Sequence, residues 1–397
     1  MLCGNYYLCN VKLLWVSILL LFLPCGARAE TTFSLLTCYP GNEIYSIYGH
    51  TAIRMVDDEA DEDLTFNYGV FNFRQKNFAL NFALGKTDYE LGVVKYEYFR
   101  QEYERTGRKT IEQVLNLTSA QKQSLKEALL ENWQPENSRY RYNFFYDNCT
   151  TRARNIIFSV LNTDSSQVMT LHEDKPALTW RQNLHLFTEK YPWYELADDI
   201  CLGVDADRLM TADERQFLPL NLMADMEITE AVADSVAAPL VWETKTLIDV
   251  SAKGQWSGLF TPLFSVGVLA LIIILLSVIE IRLGKILWGV DVALLAAVGV
   301  AGCVLVLIAS GEHPCVFPNL NLLLFCPLAW VVMVMDIRAC RKRKVSRTWL
   351  WFLLVCLALI IADISKLQDI PLFSEILASL LLLRPVNRII VFRKQKK

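Results

Sequence analysis

Asp147-Asn148-Cys149-Thr150-Thr151-Arg152-Ala153-Arg154-Asn155-Ile156-Ile157-Phe158-Ser159-Val160-Leu161 is the stretch on which the fold turns. Ala153, Ile156, Ile157, Val160 and Leu161 fall at i, i+3, i+4, i+7 and i+8, the stripe of a helix buried along one face. Asp147 and Asn148 both carry the short oxygen-bearing side chains that cap a helix start, so the spacing predicts a helix from about Thr150 to Leu161. Cys149 then lies in the first turn, where the positive end of the helix dipole favours a thiolate. Arg152 and Arg154 add positive charge nearby. Cys149 also precedes Ala153 by four residues, which puts it on the buried face, aimed at whatever the helix packs against.

A partner is found upstream. Tyr48-Gly49-His50-Thr51-Ala52-Ile53-Arg54 reads as a strand opening at His50. A helix-start Cys facing a strand His is an arrangement for nucleophilic catalysis, because the imidazole can take the thiol proton. A buried structural Cys beside a hydrogen-bonded core His has the same spacing, and the spacing leaves both open.

Around this pair the chain reads as one mixed domain over residues 30–255. Thr51 to Val56 alternates, the run Asp57 to Asp63 is acidic except for Ala60, and Leu64 to Phe71 returns as a strand. The acidic tip lacks the Gly and distal Glu of a calcium loop and reads as a solvated hairpin end. Asp88 to Gln113 reads as a second strand-rich stretch. Ser119 to Trp133 reads as a helix, with Thr118 or Ser119 as cap and Leu125, Leu129 and Leu130 as its apolar face.

The two ends of the chain differ from this middle. Lys12, the apolar run Leu13–Leu23 and Ala27-Arg28-Ala29 form a signal peptide with cleavage expected after Ala29. Beyond residue 255 the apolar content that brings the chain to 53% hydrophobic is concentrated in runs at 259–280, 287–310, 319–336, 348–365 and 371–390. Each approaches the ~20 residues that cross a bilayer. Basic residues crowd the connections holding Arg282 and Lys285, and Arg338 to Arg347, and the tail from Arg393 to Lys397. The positive-inside rule puts these in the cytoplasm, which needs an odd number of spans after an exported domain. Five fits, giving a bundle over 256–397 in the cytoplasmic (inner) membrane with a cytoplasmic tail. Asp291 and Glu375 fall near span ends, so the runs read as an anchor and not as a transporter.

Several classes are disfavoured. Net charge is −3 and no basic patch interleaves with aromatics, so nucleic acid is not an expected partner. His172-Glu173 has no second His four residues on, so zinc is not expected. GxSxG and P-loop signatures are absent from the sequence. His172 and His185 read as ordinary, and no cofactor is implied.

Cys–His pairing of this kind resembles the papain-type nucleophile. The His strand precedes the Cys helix, the order of the circularly permuted branch of that fold, in which Asn-Cys opens the helix as Asn148-Cys149 does. Read together, Leu36 to Gly41, Tyr48 to Ala52, Phe66 to Phe73, Phe145 to Arg152 and Phe217-Leu218-Pro219 resemble the bacterial Lnb N-terminal periplasmic domain. The membrane half, with His313-Pro314-Cys315, Asn319 and Asn321, resembles the same family. The fold expected is thus α+β: a circularly permuted papain-like periplasmic domain followed by an α-helical transmembrane bundle. The resemblance implies N-acylation of lipoproteins, with a phospholipid as acyl donor and a diacylglyceryl-cysteine lipoprotein as acceptor. Cys149 would be the nucleophile and His50 the base, with Asn67 or Tyr68 orienting His50 according to hairpin register. Asn148 would support Cys149, whose backbone N–H would serve the oxyanion. His313, in a loop outside the membrane, is a candidate headgroup contact. Cys38 and Cys201 could form a disulfide in an oxidising compartment, although Cys315 is outside as well. A Cys-dependent lipase or cell-wall amidase or peptidase, and a non-catalytic assembly factor, are the competing readings.

Overall fold

Strand β2 (His50–Asp57) buries Ile53 and Met55 on one face and Ala52 on the other, so a sheet forms there with helices on both sides. The computed structural model describes residues 31–71, 74, 76–162, 166–169, 176–233, 236–250, 258, 260–344 and 346–395. The expected signal peptide at 1–29 and His172 lie outside them. In chain order the N-terminal part contains β1 (Thr31–Cys38), β2, β3 (Glu62–Val70), α1 (Phe78–Ala83), β4 (Asp88–Lys95), α2 (Tyr96–Arg105), β5 (Thr110–Leu115), α3 (Ser119–Trp133), β6 (Arg139–Arg141) and α4 (Cys149–Leu161). There follow β7 (Ser166–Met169), α5 (Trp180–Thr188), α6 (Pro192–Cys201), α7 (Pro219–Ile228), β8 (Glu230–Ala233), β9 (Val236–Pro239) and β10 (Val241–Ile248).

Among the described residues the main sheet is antiparallel, in the order β10-β5-β1-β2-β3-β4-β6. Helices α3 and α4 cover one face, where Leu125, Leu129, Ala153 and Ile157 meet Phe33, Leu35, Ile53 and Phe66. Helix α2 covers the other, with Phe99 and Tyr103 against Leu36, Cys38 and Ala52. This helix refines the reading of Asp88–Gln113 as a strand-rich stretch, since it lies between β4 and β5. Phe99 and Tyr103 stand four apart, and Arg100–Glu104 and Gln101–Glu97 pair at the same spacing on the solvent side. That helical pairing outweighs the strand preference of the intervening aromatics. The acidic hairpin tip is partly neutralised, since Arg54 grips Asp63 at 2.7 Å and Glu112 at 3.0 Å.

The C-terminal part is helical: α8 (Pro262–Leu283), α9 (Trp288–Ala309), α10 (Ala329–Arg341), α11 (Thr348–Ile364) and α12 (Leu372–Lys394). Helices α8 and α9 are long and apolar enough to cross a membrane, and α11 is apolar but shorter. The third apolar run is not one helix. Residues 319–328 hold a 3₁₀ turn at Leu320–Leu323, and α10 begins only at Ala329. Pro318 and Pro327 interrupt helix formation there. The segment serves as a dock instead: Asn319 Nδ2 donates to the carbonyls of Ile200 and Cys201, and Asn321 Nδ2 to that of Asp199. Gln368 Nε2 donates to the Leu202 carbonyl, and Gly203 N–H to that of Cys315. The bundle therefore clasps α6 and the turn after it.

Asp291 and Glu375 fall in the first turns of α9 and α12, near the ends where their sequence positions put them, but a buried arginine stands further along α12. Arg384, buried inside α12, binds Glu280 of α8 at 2.8 Å and Asp291 of α9 at 2.7 Å, and also reaches Ser277. Arg388, one turn on, pairs with Asp336 of α10. A buried guanidinium needs this full set of acceptors to offset its desolvation.

Candidate active site

Helix α4 begins at Cys149 because Asn148 caps it. The Asn148 Oδ1 accepts from the N–H groups of Thr150 (2.8 Å) and Thr151 (2.9 Å), while the Thr151 hydroxyl accepts from the Asn148 N–H at 2.8 Å. Its Nδ2 donates to the carbonyls of Phe144 and Phe217. Asn148 is thus fully engaged in holding the helix start. The cap leaves the Cys149 N–H, at the first helical position, unused by Asn148. Below it the hydroxyls of Thr51 and Thr150, 3.0 Å apart and buried, tie α4 to β2.

His50 enters β2 through Gly49, whose φ of +85° suits glycine, and a Cβ there would stand 2.7 Å from the Cys38 carbonyl. The His50 Nε2 lies 3.3 Å from Asn67 Oδ1 on β3, and Asn67 Nδ2 donates to the Thr65 carbonyl, which fixes the amide's orientation. An amide oxygen only accepts, so the neutral ring carries its proton on Nε2 and presents Nδ1 as a base. Tyr68, the other sequence candidate for this place, is buried on the opposite side of β3, where its hydroxyl accepts from Asn132 at 3.0 Å. Alternation along the strand separates the two.

Burial raises the Cys149 pKa, but the charge and hydrogen bond of His50 lower it, as do the Thr51 backbone N–H and the Thr150 hydroxyl, and the thiol settles at about 7. A substantial thiolate fraction is therefore present at neutral pH. Cys38 and Cys201 behave differently, since burial pushes each up to about 11. Both are free thiols, so the possible disulfide between them is not made. Cys38, fully buried, ends β1 opposite His50, whereas Cys201 ends α6 against the membrane bundle.

Two features near the thiol escape sequence reasoning. Gly69, with φ +89°, sits at an irregularity in the β3–β4 pairing between Asn67 and Val70. A Cβ on it would lie 3.6 Å from Cys149 Cβ and 3.8 Å from both the Tyr140 hydroxyl and the Tyr142 ring, so these groups converge on the gap it leaves. The buried Tyr140 hydroxyl has no hydrogen-bond partner among the described residues. The guanidinium of Arg152 stacks on its ring, 3.5 Å from the centroid, and pairs with Asp147. The repeated Tyr-Arg-Tyr at 140–142 was the signal available, but nothing in it told which ring faces the cysteine.

The remaining histidines lie elsewhere. His313 Nε2 bonds the Phe82 carbonyl at 2.8 Å, joining the loop after α9 to α1. His185 bonds Asp199 at 2.8 Å, and Asp199 in turn binds the buried Arg181. Groups of three or more metal-ligating side chains do not occur among the described residues.

The arrangement brings together a thiol of lowered pKa, an imidazole, an amide that orients it and a helix-start backbone N–H, a set chemically able to support acyl transfer through a thioester. Residues 27–185 match the family model of the Lnb N-terminal periplasmic domain, and residues 254–396 match that of the Lnb transmembrane domain. Neither a curated protein nor a solved structure matches the chain. The chain belongs to the Lnb family, an inner-membrane family with a periplasmic domain whose general function is lipoprotein N-acyltransferase-like.

Proposed function

We propose that the protein transfers a fatty acyl chain from a membrane phospholipid to the N-terminal amine of a diacylglyceryl-cysteine lipoprotein, by a ping-pong mechanism. The Cys149 thiolate, its proton held on His50 Nδ1, attacks the ester carbonyl. The oxyanion is received by the Cys149 N–H and the otherwise unpartnered Tyr140 hydroxyl. As the C–O bond breaks, His50 gives its proton to the leaving alkoxide and a lysophospholipid departs. The acceptor's α-amine then attacks the thioester. His50 takes the amine proton, the C–S bond breaks, and the amide product leaves the thiolate–imidazolium pair restored. Asn67 holds the ring in register through both steps.

The observation that carries this reading is the Cys149 thiol drawn to about 7 by His50 at a capped helix start. The His-strand-before-Cys-helix order supports a circularly permuted papain-like domain, over residues 30–255. The signal peptide at 1–29 and the five-span bundle at 256–397, with a cytoplasmic C-terminus, belong to the same proposal. Both substrates are lipid-anchored, so a catalytic domain clasped to membrane helices meets them without extracting either. The test is expression in cells lacking their own lipoprotein N-acyltransferase, followed by mass spectrometry of a lipoprotein N-terminus. A third acyl chain that depends on Cys149 is expected. Two chains in the presence of folded protein would overturn the activity, and a third chain added by Cys149→Ala would overturn the nucleophile.

A further inference from the structure

Helix α1 is short and turns its apolar side chains outward, with Leu80 47% and Phe82 53% exposed. It is also held against the membrane half. The Glu312 N–H donates to the Leu84 carbonyl at 2.8 Å, and His313 bonds the Phe82 carbonyl. Two glycines permit this backbone-on-backbone contact. A Cβ on Gly311 would lie 2.5 Å from the Leu84 carbonyl oxygen, and one on Gly85 would lie 2.9 Å from the His313 nitrogen. The loop in contact starts just past the end of α9, a helix long and apolar enough to span a bilayer. Exposed apolar side chains at that level sit where amphipathic helices and aromatic rings rest in the interfacial layer.

From Phe82 a file of ring contacts runs inward. Phe82 meets Phe78 at 6.0 Å between centroids, Phe78 meets Phe71 at 6.1 Å, Phe71 meets Tyr89 at 5.2 Å, and Tyr89 stacks on Tyr142 at 4.1 Å. Tyr142 borders the gap at Gly69 beside Cys149. This apolar file is exposed beside a membrane helix at one end and partly buried next to Cys149 at the other, as a route for an acyl chain would be.

We propose that α1 rests in the outer leaflet and that this aromatic file guides the acyl chain of a membrane phospholipid to Cys149. The proposal rests on the acyl-transfer reading and adds where the donor lipid enters. The full-length protein is reconstituted in phosphatidylethanolamine-containing liposomes with the photoreactive benzoylphenylalanine at Phe82, or at Leu271 on α8 as a membrane reference. Phospholipid adducts at both positions are expected. Adducts at Leu271 with none at Phe82 would overturn the placement of α1. A Leu80→Glu/Phe82→Glu variant is then compared with the parent for mass-detected acylation of Cys149. It should lose about tenfold or more with liposomal phospholipid, through the lost apolar contact. With a soluble short-chain thioester it should stay within about twofold. Equal loss with both donors would mean damage to the site and would overturn the path. If the parent takes an acyl group from neither donor, the acyl-transfer reading fails, and the path for acyl delivery with it. The Phe82 crosslink still decides whether α1 meets lipid.

Discussion

The two polar clusters of this molecule are built from similar ingredients and finished differently. In the membrane half, Arg384 is buried and shared among Glu280, Asp291 and Ser277, with its neighbour Arg388 paired to Asp336. In the periplasmic half, Cys149 is half-buried, His50 meets both Cys149 and, at 3.3 Å, Asn67, and the Tyr140 hydroxyl is unpartnered among the described residues. Every guanidinium nitrogen of Arg384 has an acceptor, so it holds helices α8, α9 and α12 together. The second cluster has an unpartnered hydroxyl near a half-buried thiol. Burial and charge alone do not mark a site; a thiol of lowered pKa beside an imidazole and an unpartnered hydroxyl does.

Substitutions test whether this division holds. The largest effect belongs to Cys149→Ala, which should drop N-acylation below detection, more than about a thousandfold, while thermal unfolding stays near the parent's. His50→Gln should cost roughly 10²- to 10⁴-fold as the base is lost. It should also move the pH dependence of Cys149 alkylation. Thiolate is the reactive form, so the parent's rate rises with pH through about 7. Without His50 the burial contribution is no longer opposed as strongly, and the inflection should move upward. An unmoved inflection would mean that His50 does not tune the thiol.

Arg384→Leu should destabilise by about 3–5 kcal/mol, because it leaves two buried carboxylates without their cation. Thermal unfolding in detergent would fall, while the alkylation inflection of the folded fraction stays near its parent value. Lost acylation with intact stability would instead place the membrane cluster in the chemistry and break the comparison. Tyr140→Phe should slow acylation by on the order of a hundredfold with little change in stability, as expected of one oxyanion donor. Asn67→Ala should be mildest, about fivefold, the ~1 kcal/mol of a single hydrogen bond. Its alkylation inflection should shift less than that of His50→Gln.

The residues that line up here were unequally legible. The α4 helix, its cap and the place of Cys149 on it followed from i, i+3, i+4 spacing and Asn148, because local hydrogen bonds and one apolar face decide them. The strand carrying His50 followed from alternation. The choice of Asn67 over Tyr68 did not, because one step in register exchanges the two faces of β3 and only the pairing with β2 fixes it. Helix α2 was hidden behind aromatics that suit a strand, and the third apolar run behind a hydropathy blind to prolines. Tyr140 was silent because its ring is placed by β6, its hydroxyl by the gap at Gly69, and its neighbour Arg152 by α4.

What the sequence determined by itself, then, is short-range and periodic: a capped helix with a cysteine at its start, a strand with a histidine at its start, and apolar runs of membrane length. Which side chains meet was decided by the tertiary structure. The thiol's pKa depends on the distance between two elements far apart in the chain, and the union of Arg384 with its carboxylates depends on helices that no sequence window spans. The same is true of the hold of residues 311–321 on the periplasmic domain. Such contacts are set by packing and register, which become definite only when every layer is in place.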